Sequence, residues 1–210
     1  MHDKFKGFLT SHPLQFEYKK GTGCQDVVFA VQQTVKYFVC RGSTVFLSAL
    51  DASKAFDRIS HAKLFNKLFA RNAPCCLIDI LIDWYSKLYS CVRWNSTLSE
   101  YFVVKLGVRQ VGILSPFLFN VYVDDLLDNL ESSGAGCYVN GYYLGCVMYA
   151  DDLLLLSASV AGLQHMLNIC HIFGLNNSIS FNHSKTICIK VVPRWQRQIN
   201  PLCLGTEKLR

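Results

Sequence analysis

The chain has 210 residues, of which 51% are hydrophobic and 17% charged, so it can bury a substantial core and is not expected to be disordered. Its 21 Lys and Arg against 15 Asp and Glu give a net charge of +6, which favours polyanionic partners such as nucleic acid. Charged residues interrupt its apolar runs well before the roughly 18 residues that span a bilayer, so a membrane location is not expected.

Ten cysteines would suggest disulfides in a secreted protein, but the N-terminal segment has no apolar stretch long enough for a signal peptide. We therefore expect an intracellular, reduced protein in the nucleus or the cytoplasm, in which most of the thiols are small core residues. No Cys-x-x-Cys pair occurs and the six histidines are scattered, so the spacing gives no support for a zinc site.

The first predicted element is a short buried strand over STVFLSAL, residues 43–50, which ends on Asp51. Two amphipathic helices are predicted next, the second of them after Pro74. The stretch STLSE, between CVRWN and YFVVKL, is typical of a hairpin connection. The apolar stripes of the two helices are Leu64, Phe65, Leu68 and Phe69, and Leu77, Leu81, Trp84, Tyr85 and Leu88.

A third helix is predicted over SPFLFNVYVDDLLDNL, and Asn140-Gly141 indicates a tight turn. After that turn, YYLGCVMYA and LLLLSAS are predicted to form two strands joined at Asp151-Asp152. A further helix is predicted around Leu163, Met166, Leu167, Cys170 and Phe173, and the alternation in TICIKV predicts a last strand. The predicted fold class is α+β, with a few antiparallel strands backed by helices.

Two pairs of adjacent aspartates occur in the chain. Asp124, Asp125 and Asp128 fall opposite the apolar stripe of the third helix, where a solvated polar face is expected. Asp151 and Asp152 instead lie between two apolar runs, where an ionised carboxylate without a partner costs on the order of several kcal/mol. That pair is therefore either an ordinary charged turn or a site neutralised by a cation, and the motif alone leaves both alternatives open.

Asp51 favours the second alternative. If its strand pairs beside the predicted hairpin, three carboxylates from distant parts of the chain converge at one edge of the sheet. Mg²⁺ takes oxygen ligands and commonly combines one or two carboxylates with substrate phosphates, which suits such a cluster. Two ions about 3.5–4 Å apart would activate an attacking hydroxyl and stabilise the leaving oxygen, so the pattern predicts phosphoryl transfer.

The segments FLSALDASKAFDRISHAKL, GVRQVGILSPFLFNVYVDDL and YADD, with QFEYKKGTGCQD before them and FNHSKT after them, resemble the palm of reverse transcriptases. These segments are most similar to those of non-LTR (LINE-type) retrotransposons, and the resemblance covers roughly residues 14–192. The resemblance implies a polymerase palm-like antiparallel sheet with part of the fingers. It implies partial fingers in 1–44, a palm core in 45–192 with a finger insertion at about 60–106, and a truncated tail without a thumb in 193–210.

The resemblance also implies a metal site. Asp51 and Asp151 would bind two catalytic Mg²⁺ ions, for which Mn²⁺ is a possible substitute, with Asp152 as the third carboxylate. The backbone carbonyl of Ala52 would be a further ligand.

A nucleotide site is implied by the same resemblance. Phe56 would be an aromatic gate that rejects a ribose 2′-hydroxyl, and Gln110 lies in the nucleotide-binding motif. Lys19 or Lys20 would be a finger-side cation for the triphosphate, and Lys185 would lie near the departing pyrophosphate. The alternatives are a core aromatic for Phe56 and solvated surface charges for the lysines.

One position departs from the family pattern, which usually has Gln-Gly where this chain has Gln110-Val111. Glycine lets the backbone approach the nucleotide closely, whereas valine adds a β-branched side chain, although Gly112 could compensate by a shift in register. We predict that Val111 impairs or abolishes nucleotide binding. Primer extension by Val111→Gly tests this, and no gain over the parent chain would contradict it.

The leading function is an RNA-directed DNA polymerase that uses an RNA template, a DNA primer and dNTPs. The alternative is a non-catalytic, degenerate remnant that keeps the palm fold and at most binds nucleic acid; Val111 and the expected lack of a thumb favour it. An RNA-dependent RNA polymerase is opposed by Phe56, and a DDE-type transposase would not require the FLFNVY helix followed by YADD. The sequence gives no indication of the oligomeric state.

Overall fold

A four-stranded antiparallel sheet carries the three aspartates of the expected metal site. In the computed structural model its strands are, in spatial order, β10 (Ile187–Val191), β1 (Val45–Asp51), β9 (Asp152–Ser157) and β8 (Cys146–Tyr149). The structure describes residues 6–19, 21–109 and 112–193, and the backbone of two short strands beyond them.

Five α-helices and several two-residue strands accompany this sheet in the described residues. The helices are α1 (Cys24–Val39), α2 (His61–Ala70), α3 (Cys75–Ser86), α4 (Ser115–Ser132) and α5 (Val160–Asn177), with 3₁₀ turns at Lys6–Phe8 and Ala55–Arg58. The short strands are β2 (Tyr89–Ser90), β3 (Arg93–Trp94), β4 (Thr97–Leu98), β5 (Phe102–Val103), β6 (Tyr138–Val139), β7 (Tyr142–Tyr143), β11 (Cys203–Leu204) and β12 (Glu207–Lys208).

The chain divides into two units. The first contains Met1–Thr10 and Lys54–Tyr122, and the second contains Ser11–Ser53 and Val123–Arg210. The four-stranded sheet, α1 and α5 belong to the second unit, whereas α2, α3 and the short strands β2 to β5 belong to the first.

The sheet of the second unit is covered on both faces. On one face, Val45, Leu47 and Leu156 form a buried cluster against which the apolar side of α1 packs. Successive side chains of a strand point to opposite faces, so Phe46, Ser48 and Leu50 point to the other face, where all three are buried. Helix α5 contacts β1 and β9, and its N-terminus is capped by Ser159, whose hydroxyl accepts a hydrogen bond from the Gly162 amide at 3.0 Å.

The first unit combines two packed helices with protruding hairpins. Leu64 and Leu68 of α2, and Leu77 and Leu81 of α3, are buried as their spacing predicted. Phe69 of α2 and Trp84 of α3 were predicted on these stripes and are instead 49% and 43% exposed, respectively. The short strands pair as β2 with β5 and β3 with β4, so the predicted hairpin is present.

Two local expectations need correction. The hairpin turn lies at Asn95-Ser96 rather than along STLSE, because Arg93 pairs with Leu98 and Trp94 with Thr97. Of the nine described cysteines, all free, only Cys137, Cys146 and Cys170 are buried, so most thiols are not core residues. Among the helices of the described residues, none combines the length and the hydrophobicity that a membrane span requires.

Candidate active site

Strand pairing brings the first two aspartates together. Asp51 is the last residue of β1, Asp152 is the first residue of β9, and the two are direct partners in the antiparallel register. Direct partners point to the same face of a sheet, with their Cβ atoms about 5 Å apart. Carboxylates separated by 101 positions in the sequence therefore lie side by side at one end of the sheet.

Asp151 lies in the turn that precedes Asp152. Tyr149 of β8 pairs with Asp152 of β9, so Ala150 and Asp151 form a two-residue hairpin connection. Ala150 has a φ of +53°, a left-handed conformation that costs a non-glycine residue about 1 kcal/mol. The prediction of a turn at Asp151-Asp152 is thus correct for Asp151, whereas Asp152 belongs to the strand.

The carboxylates influence one another electrostatically. Burial raises the pKa of Asp152, the negative charges of Asp151 and Asp51 raise it further, and the positive charge of Lys185 lowers it. The Nζ atom of Lys185 lies 3.2 Å from Oδ1 of Asp51, with side chains that are 65% and 31% exposed, respectively. A positive charge is therefore stabilised at this end of the sheet.

The loop before β10 places Lys185 at this point. The amide of Asn182 donates to the carbonyl of Asp51 at 2.8 Å, which fixes the loop to the end of β1. The side-chain carbonyl of Asn182 accepts from the Ser184 amide at 3.0 Å, and its backbone carbonyl accepts from the Lys185 amide at 3.1 Å. An asparagine turn therefore holds the lysine beside Asp51.

The backbone also orients the carbonyl of Ala52. In an extended strand, the N–H and C=O groups of successive residues point to alternate sides. The carbonyl of Asp51 faces the Asn182 amide, on the β10 side, so that of Ala52 is directed to the opposite side, where β9 begins. An additional oxygen is thereby aimed towards the strand that carries Asp152.

This set of donors fits a hard divalent cation. Carboxylates and a backbone carbonyl are the oxygen ligands that Mg²⁺ prefers. Among the described residues, no three His, Cys, Asp or Glu side chains are already arranged closely enough to hold an ion together. Such a site would be completed by oxygens from a substrate, as is usual for Mg²⁺ bound with phosphates.

A cleft adjoins the carboxylates. It has a volume of about 420 Å³, and Asp51, Asp152 and Lys185 contribute its polar wall. Ala49, Val147 and Leu154 are among the apolar residues that line it. The cleft therefore places charged groups of both signs next to an apolar floor.

Two further residues of the expected nucleotide site, Phe56 and Lys19, have contacts of their own in the structure. Phe56 belongs to the first unit and stacks on Phe119, with ring centroids 4.6 Å apart. The Nζ atom of Lys19 donates to the carbonyl of His12 at 2.6 Å, and burial lowers the pKa of this ammonium whereas Asp124 raises it. Gln110, Val111 and Lys20 lie outside the described residues.

Sequence reasoning missed Gln15 and Glu17. Gln15 is fully buried, and its Nε2 donates to the carbonyl of Ala150 at 3.0 Å. Burial raises the pKa of Glu17, a hydrogen bond with Tyr18 lowers it, and the charges of Asp151 and Asp152 raise it. The acidic residue within QFEYKK, a segment already singled out, was the one signal that could have drawn attention to this fourth carboxylate.

The expectation for Asp124 was wrong. We expected it on a solvated face of α4, but it is only 4% exposed, and its Oδ1 accepts from the His12 amide at 3.0 Å. Asp125 and Asp128 are exposed, as expected. The helical pattern fails at Asp124 because the segment around His12 covers it, and that segment is more than 100 residues away in the sequence.

The family model for reverse transcriptase (RNA-dependent DNA polymerase) matches residues 3–203. A Pol polyprotein from the type-2 retrotransposable element R2DM of Drosophila melanogaster is 33% identical over 156 residues, which cover 74% of this chain and 15% of that protein. An uncharacterised 149 kDa protein of transposon TX1 from Xenopus laevis is 25% identical over 177 residues, 83% of this chain and 14% of that protein. The chain thus spans about one seventh of these relatives.

Solved structures show the same fold at low sequence identity. Telomerase from Candida albicans, in complex with a fragment of telomeric RNA, has a TM-score of 0.61 at 15% identity and covers 95% of this chain and 33% of that chain. The telomerase of Candida tropicalis has a TM-score of 0.63 at 10% identity, with coverage of 89% and 33%. The fold is therefore that of reverse transcriptase palm and fingers. The chain belongs to the reverse transcriptase family, whose members generally use divalent metal ions, and it is a retrotransposon-type reverse transcriptase domain.

Proposed function

We propose that this chain is a catalytic RNA-directed DNA polymerase domain that extends a DNA primer on an RNA template from dNTPs. The observation that carries the proposal is the convergence of Asp51, Asp151 and Asp152 at one end of the sheet, through a strand register and a two-residue turn. Such a concentration of negative charge is costly without cations, and it lies beside an open cleft.

Asp51, Asp151 and Asp152, with the carbonyl of Ala52, would hold two Mg²⁺ ions, or Mn²⁺ in their place. When bound, the ions activate the attacking hydroxyl and stabilise the leaving oxygen. The primer 3′-hydroxyl loses its proton to solvent, and its oxygen forms a bond to the α-phosphorus of the dNTP. The bond from that phosphorus to the bridging oxygen breaks, which releases pyrophosphate.

Lys185 has a role of its own in this proposal. Its ammonium is paired with Asp51 in the structure, and cations bound by Asp51 would release it to contact the triphosphate. A positive charge there stabilises the negative charge that develops on the pyrophosphate. Phe56, Gln110 and Lys19 remain proposed nucleotide contacts on the strength of the family pattern.

The partners and the compartment belong to the same proposal. The net charge of +6 supports binding of an RNA template and a DNA primer. The free thiols of the nine described cysteines support a reducing compartment, nucleus or cytoplasm.

The test is primer extension with the purified chain, an RNA template, a DNA primer, Mg²⁺ and dNTPs. We expect extension by the parent chain, and a loss of about 100-fold or more in Asp151→Ala. Asp125→Ala is the matched control, because it removes one exposed aspartate of the other Asp-Asp pair. Extension by neither the parent nor Asp151→Ala, with folding retained, would overturn the proposal in favour of a non-catalytic remnant.

A further inference from the structure

The segment before α1 runs along the edge of the catalytic sheet. The amide of Phe16 donates to the carbonyl of Met148 at 2.9 Å, and the amide of Met148 donates to the carbonyl of Leu14, also at 2.9 Å. These bonds form a parallel bridge between Gln15 and Met148 of β8, the strand at one edge of the sheet. Met148 lies two residues before Ala150, so the bridge holds the backbone of Gln15 close to the turn that contains Ala150.

Both polar groups of the Gln15 side-chain amide form hydrogen bonds. Nε2 donates to the carbonyl of Ala150 at 3.0 Å, and Oε1 accepts from the amide of Glu17 at 3.3 Å. The side chain is 0% exposed, so no solvent competes for either bond. A buried amide satisfied at both ends has a single orientation.

The group that Gln15 holds is the strained residue of the catalytic turn. Ala150 has a left-handed backbone and directly precedes Asp151. A conformation of this kind persists only where the surroundings enforce it. The hydrogen bond to the Ala150 carbonyl fixes the peptide plane from which the Asp151 backbone continues, and so limits where that carboxylate can lie.

The segment that carries Gln15 is itself anchored to α4. The amide of His12 donates to Oδ1 of the buried Asp124 at 3.0 Å, and Nζ of Lys19 donates to the carbonyl of His12 at 2.6 Å. The ring of His12 contacts Glu131, with Nε2 and Oε2 3.2 Å apart. The amide of Gln15 is therefore presented by a braced segment and not by a loose loop.

We propose that Gln15 is a positioning residue for the polymerase reaction, which acts by holding the Ala150-Asp151 turn so that Asp151 faces its metal ions. The inference rests on the proposed function, and it assigns to Gln15 no contact with substrate. It predicts that loss of the amide loosens the turn while the sheet and α1 stay unchanged.

The first experiment is steady-state primer extension with the full chain. Gln15→Met keeps the length of the side chain and removes both polar groups, and we expect kcat to fall about 10- to 100-fold, the usual effect of losing a group that orients a metal ligand. KM for the dNTP should stay close to that of the parent. Thr34→Val is the matched control, since Thr34 is also buried and donates to Ala30 within α1 at 2.8 Å, away from the turn. An unchanged kcat in Gln15→Met would overturn the proposal.

The second experiment, amide hydrogen exchange, does not depend on activity. We expect the peptide that covers residues 149–153 to exchange roughly 2- to 10-fold faster in Gln15→Met, with β10 and α1 unchanged. Equal exchange in this peptide, or an increase spread evenly over the sheet, would overturn the proposal. If the parent chain is inactive but Gln15→Met still exchanges faster in this peptide, the proposed function is refuted. The conclusion that Gln15 stabilises the turn would then still hold.

Gln15→Asn is the second variant, in case Gln15→Met fails to fold. Its amide is one methylene too short to reach the Ala150 carbonyl from the same backbone position, and it keeps a polar side chain. The same local increase in exchange is expected, and its absence would count against the proposal.

Discussion

At the scale of single residues, the site combines carboxylates that repel one another. Asp152 is the best example, because burial and the charges of Asp151 and Asp51 all oppose its ionisation. A site of this kind is stable only if something offsets the repulsion, and here Lys185 does so in part. The charge distribution is suited to binding cations at some cost in folding stability.

The first prediction concerns pH. The pKa values of Asp152 and Glu17 are raised above their ordinary values of 3.8 and 4.5 in the folded chain, so the folded state binds more protons than the unfolded state in the interval above those values. The free energy of unfolding should therefore fall as the pH rises through this interval, without divalent ions present. Denaturant titrations across the interval measure it.

The comparison that isolates this effect uses Asp152→Asn. The variant should lose part of the decline with pH and should be more stable than the parent at neutral pH. If the variant loses stability with pH at the same slope as the parent, the pKa of Asp152 is not raised in the folded chain.

The second prediction concerns sugar selection. Phe56 is half-buried and stacked on Phe119, so its ring has a fixed position. If this ring excludes a 2′-hydroxyl, Phe56→Val should raise kcat/KM for ribonucleotides relative to deoxynucleotides by about 10-fold or more. Single-nucleotide extension with each nucleotide measures the ratio. An unchanged ratio, with extension from dNTPs retained, would return Phe56 to the role of a core aromatic.

Some residues of this site could be predicted from the sequence, and others could not. Asp51, Asp151, Asp152 and Lys185 stand in motifs whose spacing is local, and the structure brings all four to one end of the sheet. Gln15 was not recognised, because a glutamine in an extended segment has no pattern that predicts a bond to residue 150. Its bond to Ala150 accompanies a parallel pairing with β8, which no local sequence pattern predicts.

At the scale of elements, helix α4 shows how a regular pattern can mislead. Its polar face is exposed at Asp125 and Asp128 but covered at Asp124, where the segment around His12 docks. One face of a single helix thus combines solvated residues with a buried anchor.

The third prediction follows from this contrast. Asp124→Ala leaves the His12 amide without its acceptor in a covered position, and should destabilise the chain by about 1–3 kcal/mol. Asp125→Ala, its exposed neighbour, should destabilise the chain by less, because interactions of a solvent-exposed carboxylate contribute less to stability. Chemical denaturation of both variants measures the difference. Equal effects would mean that the bond to His12 contributes nothing measurable.

The elements themselves were largely predictable. Three of the four sheet strands coincide with short apolar runs, and the fourth, β10, coincides with the alternating stretch TICIKV. Four of the five helices coincide with stretches that have a period of 3.6 in apolar residues, and Asn140-Gly141 forms the expected turn, with φ angles of +50° and +85°. Helix α1 was not predicted, and Asp152 was placed in the turn because both aspartates are polar. A two-residue connection at Ala150-Asp151 requires a left-handed backbone at Ala150. This conformation is uncommon for residues other than glycine, so it is not expected from the sequence, and tertiary contacts stabilise it here.

At the scale of the whole molecule, binding and chemistry should be separable. Phosphate contacts by Lys and Arg give most of the affinity of a basic protein for nucleic acid, whereas the aspartates oppose it. The net charge of +6 therefore predicts binding that weakens as salt is added.

The fourth prediction is that Asp151→Ala, though inactive, binds an RNA–DNA primer–template at least as tightly as the parent in the absence of divalent ions. The slope of log K against log salt should be the same for both, at about −0.7 to −0.9 per phosphate contact. Fluorescence anisotropy over a salt series measures both quantities. Loss of binding in the variant would show that Asp151 supports the structure of the binding surface and not only the chemistry.

The register of β1 against β9 has a genetic consequence. Side chains alternate between faces along a strand, so one extra residue between Leu50 and Asp51 would turn this carboxylate to the opposite face while the preceding apolar rungs stay paired. Two extra residues would restore the face but shift the group by about 6.6 Å. A three-nucleotide insertion at this codon, which preserves the reading frame, would thus abolish the metal site and leave the hydrophobic core intact.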